Sequence, residues 1–124
     1  MNNIKAQKLL NKIQRDLMRN GIITNTLISD LKDLRPLVVE EGQPLLAKVI
    51  RLTFEHVEAY DSFNIAIPGD EAVEEGEEAP VQEETTGQES LDYLLSLMAD
   101  PSNRVNEIEL REYVNAFNEY AEEN

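Results

Sequence analysis

The chain has 124 residues, no cysteine and a formal net charge of −14. The lack of cysteine excludes disulfides, thiolate metal sites and a cysteine nucleophile, and the length allows one modest domain or two very small ones. No segment resembles a glycine-rich phosphate loop, a nucleophile elbow or a metal-binding cluster, so we expect neither an enzyme nor a bound cofactor or metal.

The charge is distributed unevenly along the chain. Residues 1–61 hold nine Lys/Arg against eight Asp/Glu, whereas residues 62–124 hold two against seventeen. An acidic half repels nucleic-acid phosphates and anionic membranes and attracts basic proteins. We therefore expect a protein partner or self-association, with no direct binding to nucleic acid or membrane. The N-terminus lacks the apolar run of a signal peptide, which predicts a cytoplasmic protein.

Two segments of the first half show clear helical periodicity. The first helix is expected over residues 3–20, where Gly21 favours a stop. A later helix is expected to begin at Pro44, because a first helical turn accepts proline, and to run to about Asp61. With one more helix between them, residues 1–68 are predicted to form a three-helix bundle.

The middle helix of this bundle is less regular. It is expected to begin near Asn25 or Thr26 and to end or kink at Pro36, because proline disfavours a helical conformation at Arg35. The apolar run that follows, residues 37–39, is then expected to be a packed connection between helices.

An acidic stretch separates the two halves of the chain. Between Asp70 and Glu89 there are nine carboxylates and no Lys, Arg or His. Such a composition buries too little apolar surface to offset the entropy of ordering the chain. Residues 69–89 are therefore predicted to be a flexible acidic linker.

Two further helices are predicted after the linker. One begins at Ser90, which can act as an N-cap, and ends at Ala99, and the other covers residues 106–122 with Asn106 and Glu109 close to a capping box. A hairpin of this size is too small to fold unaided. The predicted fold class is therefore all-α, with residues 90–124 docked on the bundle, on another copy or on a partner.

These features favour a non-enzymatic adaptor that binds a partner through the apolar face of the hairpin, with the acidic arm as a tether. The expected anchors are Leu91, Leu94, Leu95, Met98, Val114, Phe117 and Tyr120. If these residues pack on the bundle of their own chain, the hairpin is structural and a partner surface lies elsewhere. Two alternatives stay open: an acidic mimic of nucleic acid that inhibits a basic protein, as anti-restriction or anti-CRISPR proteins do, and an assembly component of a larger particle.

Charged residues of two helices are further candidates for function. Five cationic residues of the first helix recur at spacings of three and four, so they share one face: Lys5, Lys8, Lys12, Arg15 and Arg19. This stripe could bind phosphates or the acidic arm, although the solvated face of an amphipathic helix explains the same pattern. The sole histidine, His56, lies near Glu55 and Glu58, and we expect a surface or partly packed residue because no second histidine completes a metal site.

Overall fold

The computed structural model describes residues 3–68 and 87–123. In these two ranges the chain forms five helices: α1 (Ile4–Asn20), α2 (Thr24–Glu40), α3 (Pro44–Tyr60), α4 (Gly87–Ala99) and α5 (Arg104–Glu123). The predicted all-α class is confirmed. Most of the predicted acidic linker, residues 69–86, lies outside the described residues, while residues 87–89 belong to α4. Across residues 3–68 and 87–123, none of the helices has the length and hydropathy that a membrane span needs.

Helix α1 begins and ends where its sequence predicts. The side chain of Asn3 accepts a hydrogen bond from the Ala6 N–H at 3.1 Å, which caps the first turn. At the other end Gly21 has a φ of +73° and donates its N–H to the Leu17 carbonyl at 2.9 Å. The backbone N–H of Asn3 also donates to the Glu41 carboxylate, so the start of α1 is joined to the end of α2.

Helix α2 differs from the prediction because it continues through Pro36 to Glu40. Residues 37–39 are therefore helical, and the expected connection there is wrong. Proline inside a helix removes one backbone hydrogen bond, at a cost of about 3 kcal/mol. Pro36 lies on the exposed side, while Leu34 before it and Val38 after it are fully buried. Burial of a side chain of this size contributes about 1.5–3 kcal/mol, so the continued apolar face offsets the loss.

The five helices pack in a closed order around one shared core. Helix α3 packs against α2 and α5, α4 packs against α5 and α1, and α1 packs against α2. Each helix contributes fully or almost fully buried side chains to this core: Leu10 from α1, Leu31 from α2, Ile50 from α3, Leu94 from α4 and Leu110 from α5. The C-terminal hairpin is thus part of the same core as the three N-terminal helices.

The starts of α4 and α5 lie earlier than predicted. Ser90 is not a cap, because it is buried inside α4, and its hydroxyl lies 2.9 Å from the Tyr113 hydroxyl, which donates to the Ser90 carbonyl at 3.0 Å. The cap of α5 is Asn103, whose Oδ1 accepts from the N–H groups of Val105 and Asn106 at 2.9 and 3.2 Å. Each expected cap lies within its helix, about one turn further along.

The start of α4 packs closely against two other parts of the chain. A Cβ atom at Gly87 would lie 2.3 Å from the Phe63 carbonyl oxygen, so a side chain has no room there. The neighbouring Gln88 donates its side-chain amide to the Leu17 carbonyl near the end of α1 at 3.1 Å. This junction places the hairpin against both α1 and the segment that leaves α3.

We expect Gly87→Ala to lower the free energy of unfolding by about 1–2 kcal/mol, because overpacking at the Phe63 carbonyl exceeds the better helix propensity of alanine. Urea denaturation measures the change. Ser96→Ala, on the exposed side of α4, is the control and should shift stability by less than about 0.5 kcal/mol. A stabilised Gly87→Ala variant would contradict the close packing, since propensity alone favours alanine.

We expect Tyr113→Phe to destabilise the protein by about 1–3 kcal/mol, because it leaves the buried Ser90 hydroxyl without its side-chain partner. Adding Ser90→Ala should recover part of this loss, since both polar groups are then absent. Thermal unfolding of the two single variants and the double variant gives the coupling between the sites. Strictly additive losses would show that the two hydroxyls do not interact.

Candidate functional site

The seven predicted anchor residues lie in the core of their own chain. All four anchors of α4 are fully buried, Val114 and Phe117 of α5 are 8% and 4% exposed, and Tyr120 is partly buried against the core. Among the arrangements that the sequence left open, the structure has the one in which the hairpin packs on the bundle of its own chain. A partner that meets the folded chain therefore contacts other residues first.

The cationic stripe of α1 is exposed along its whole length. All five of its residues face solvent, as the helical spacing predicts. Lys12 donates to Asp30 of α2 at 2.8 Å and to Asp16 at 3.0 Å. Both hydrogen bonds raise the pKa of Lys12 above its ordinary value, and the bond to Asp30 has the larger effect. Within residues 3–68 and 87–123 the other four members of the stripe form no ion pair.

A second basic surface lies between α2 and α3. A groove there is lined by Arg35, Lys48 and Arg51 together with apolar side chains. The Arg35 Nε donates to the Ala47 carbonyl at 3.1 Å, and Arg51 pairs with Glu55 of its own helix at 3.2 Å. Two of the three cationic side chains that line this groove thus already bond within the fold.

Two exposed apolar side chains line a groove beside the first turns of α5, which we call the α5 groove. Val105 and Ile108, one helical turn apart, are 60% and 49% exposed. Tyr93 of α4 forms part of the wall and donates its hydroxyl to Glu109. The complete lining consists of Ile67, Pro68, Tyr93, Val105, Ile108, Glu109 and Glu112.

The charged residues of the α5 groove are carboxylates. Glu109 and Glu112 lie on the same helix as the apolar pair and line the groove beside it. The surrounding hairpin, residues 87–123, carries nine Asp/Glu against two Lys/Arg, a net charge of −7. The groove therefore combines exposed apolar side chains with a negative potential.

Sequence patterns did not single out the α5 groove. The α5 pattern indicated a broad apolar face that included Ile108 together with Leu110 and Phe117, but of these three only Leu110 and Phe117 are buried. Val105 and Ile108 lie on the opposite side of the helix, where a polar residue is the rule. The helical period places these two apolar residues opposite the core-facing side. That placement is the sequence signal that could have pointed to the groove.

His56 is more deeply buried than expected. It was predicted on the surface or partly packed, but it is 6% exposed and lies among aromatic rings from three parts of the fold. Burial lowers its pKa below the ordinary value of 6.5. The sequence placed carboxylates beside it, whereas the fold places Tyr60, Phe63 and Phe117 around its ring.

In the part of the chain that the structure describes, no three His, Asp or Glu side chains are grouped so that they could hold a metal ion. No protein-family model, curated protein or solved structure matches the chain. Its function is therefore inferred from the surfaces described above.

Proposed function

We propose that this protein is a non-enzymatic protein-binding module that docks a basic partner in the α5 groove. The observation that carries the proposal is the combination of exposed apolar side chains, Val105 and Ile108, with the carboxylates of Glu109 and Glu112. An apolar centre with a polar rim is the usual anatomy of a protein interface. Exposed apolar residues that cluster are also more informative than single ones.

The sign of the charge selects the class of partner. With a net charge of −7 on residues 87–123, a basic protein surface is attracted and a nucleic acid is repelled. The sequence between Pro68 and Gly87 adds eight more carboxylates. We infer a partner that presents an apolar side chain flanked by Lys or Arg, as an amphipathic helix does.

The proposed function is the adaptor function predicted from the sequence, but a different surface contacts the partner. Binding through the anchors predicted from sequence, such as Leu94 and Phe117, requires the hairpin to leave the bundle and expose its core. Binding in the α5 groove leaves the core intact and so avoids that cost. The role of residues 69–89 as a tether remains a hypothesis.

An acidic mimic of nucleic acid is the second candidate. The exposed carboxylates of α5, which are Glu112, Glu119, Glu122 and Glu123, favour it because a helix holds them on a fixed surface. They extend over about 16 Å of helix, where a DNA duplex carries about ten phosphate charges. Four carboxylates over that length are fewer than half of the phosphate charges they would imitate. We therefore rank mimicry of nucleic acid below protein binding in the α5 groove.

The test is affinity capture of the full-length tagged protein and its Val105→Ser/Ile108→Ser variant from lysate of its own organism, at low and high salt. We expect a basic protein that the wild type retains at high salt. The variant should bind it at least about thirtyfold more weakly, because losing one buried apolar side chain costs about 2 kcal/mol.

Met18→Ser is the matched control, because Met18 is 75% exposed on α1 and lies outside the groove. It should bind the partner as the wild type does. Equal capture by the groove variant would refute the proposed surface. Capture that high salt abolishes for every form, with Val105→Ser/Ile108→Ser no weaker than wild type, would favour the nucleic-acid mimic.

A further inference from the structure

His56 lies at the point where three parts of the fold meet. It belongs to α3, and its ring centroid is 5.6 Å from Phe63 in the segment that leaves this helix. Two rings of α5 lie equally close, Phe117 at 5.6 Å and Tyr120 at 5.1 Å. The imidazole therefore contacts both elements that cover the end of α3.

The imidazole also has a specific hydrogen-bonding role. The backbone N–H of Asn64 donates to the Nε2 atom of His56 at 3.1 Å. A ring nitrogen accepts a hydrogen bond only when it carries no proton, so this contact requires the neutral imidazole. Protonation would place a second N–H against the N–H of Asn64.

We propose that His56 is a pH-sensitive latch, which holds residues 63–65 and α5 on α3 when it is neutral and loosens both when it is protonated. The titratable groups that face its ring are the phenols of Tyr60 on α3 and Tyr120 on α5. A tyrosine phenol carries no charge near neutral pH and cannot neutralise an imidazolium. Among the residues that the structure describes, the other ring and hydrogen-bond contacts of His56 are the Phe63 and Phe117 rings and the Asn64 amide.

The latch has a structural consequence for the hairpin. Two residues of α5 contact the His56 ring, Phe117 and Tyr120. A third residue of the same helix, Val114, belongs to the shared core. Loosening α5 would expose this apolar face, which is the part of the hairpin that the sequence pattern favours for docking. The His56 contacts that support the latch are separate from the α5 groove, whose exposed apolar pair, Val105 and Ile108, lies on the opposite side of α5.

The direction of the pH effect follows from linkage. Burial lowers the pKa of folded His56, so the unfolded or opened chain binds a proton more readily than the closed one. The stabilisation is therefore complete above about pH 6.5 and is lost as the pH falls from there towards the lower pKa of the folded state.

The test uses the full-length protein with a tag that contains no histidine. NMR titration of the His56 ring protons should give a pKa below 6.5. Hydrogen exchange should show that protection of the Asn64 amide, relative to its intrinsic exchange rate, falls by up to about tenfold between pH 7.5 and pH 5.5. A histidine with a pKa of 6.5 in the open state is about ten to one protonated at the lower pH, which sets this limit.

His56→Gln is the control variant, because the glutamine amide offers a neutral acceptor that does not titrate. Its protection at Asn64 should not change over the same pH range. A wild-type pKa at or above 6.5 would overturn the latch, since cation–π attraction from the surrounding rings would then outweigh burial. The same fall in protection in His56→Gln would also overturn it, and the wild-type titration decides the question if this variant does not fold.

Discussion

The packing of α5 against α3 is the contact on which the rest of the structure depends. The ring of Phe117 lies 5.6 Å from that of His56 on α3, and the ring of Tyr120 lies 5.0 Å from that of Tyr60 at the end of the same helix. A helical hairpin of residues 87–123 is too small to bury its own apolar face. Its leucines and aromatic residues are shielded from water because α3 and α1 cover them, and this makes the five helices one core.

This packing also determines which surfaces are left for binding. The inner faces of α4 and α5 are used within the chain, so a partner meets their outer faces. Two of the outer faces differ in the sign of their charge, because that of α1 carries five cations and that of α5 carries carboxylates. The charge difference between the two halves of the sequence is thus expressed as two distinct surfaces of one folded unit.

The positions of the helices could be predicted largely from apolar periodicity, whereas their exact ends and the partners of their faces could not. Pro36 shows the limit of a local rule, since the cost of one lost backbone hydrogen bond is offset by tertiary burial of Leu34 and Val38. Ser90 looked like a cap, but its hydroxyl meets Tyr113, a partner 23 residues away. Local sequence carries no information about such distant contacts.

The exposure of a candidate site could be predicted where helix geometry alone determines it, but not where it depends on contacts between distant parts of the chain. The exposed stripe of α1 follows from helix geometry, and all five residues lie where the spacing places them. Periodicity shows that residues such as Leu94 and Phe117 form an apolar face, but not whether their own chain or a partner covers it. His56 has glutamates nearby in sequence and aromatic rings nearby in space, so its environment is a property of the fold.

Native-state hydrogen exchange of the full-length protein over a series of urea concentrations tests the single core most directly. If α5 and α3 depend on each other, the slowest amides of both helices should exchange through one global opening with the same free energy and urea dependence. If the amides of α4 and α5 instead exchanged at a clearly lower free energy while α1 to α3 stayed protected, the hairpin would open separately. That result would contradict the shared core and return the buried face of the hairpin to consideration as a binding surface.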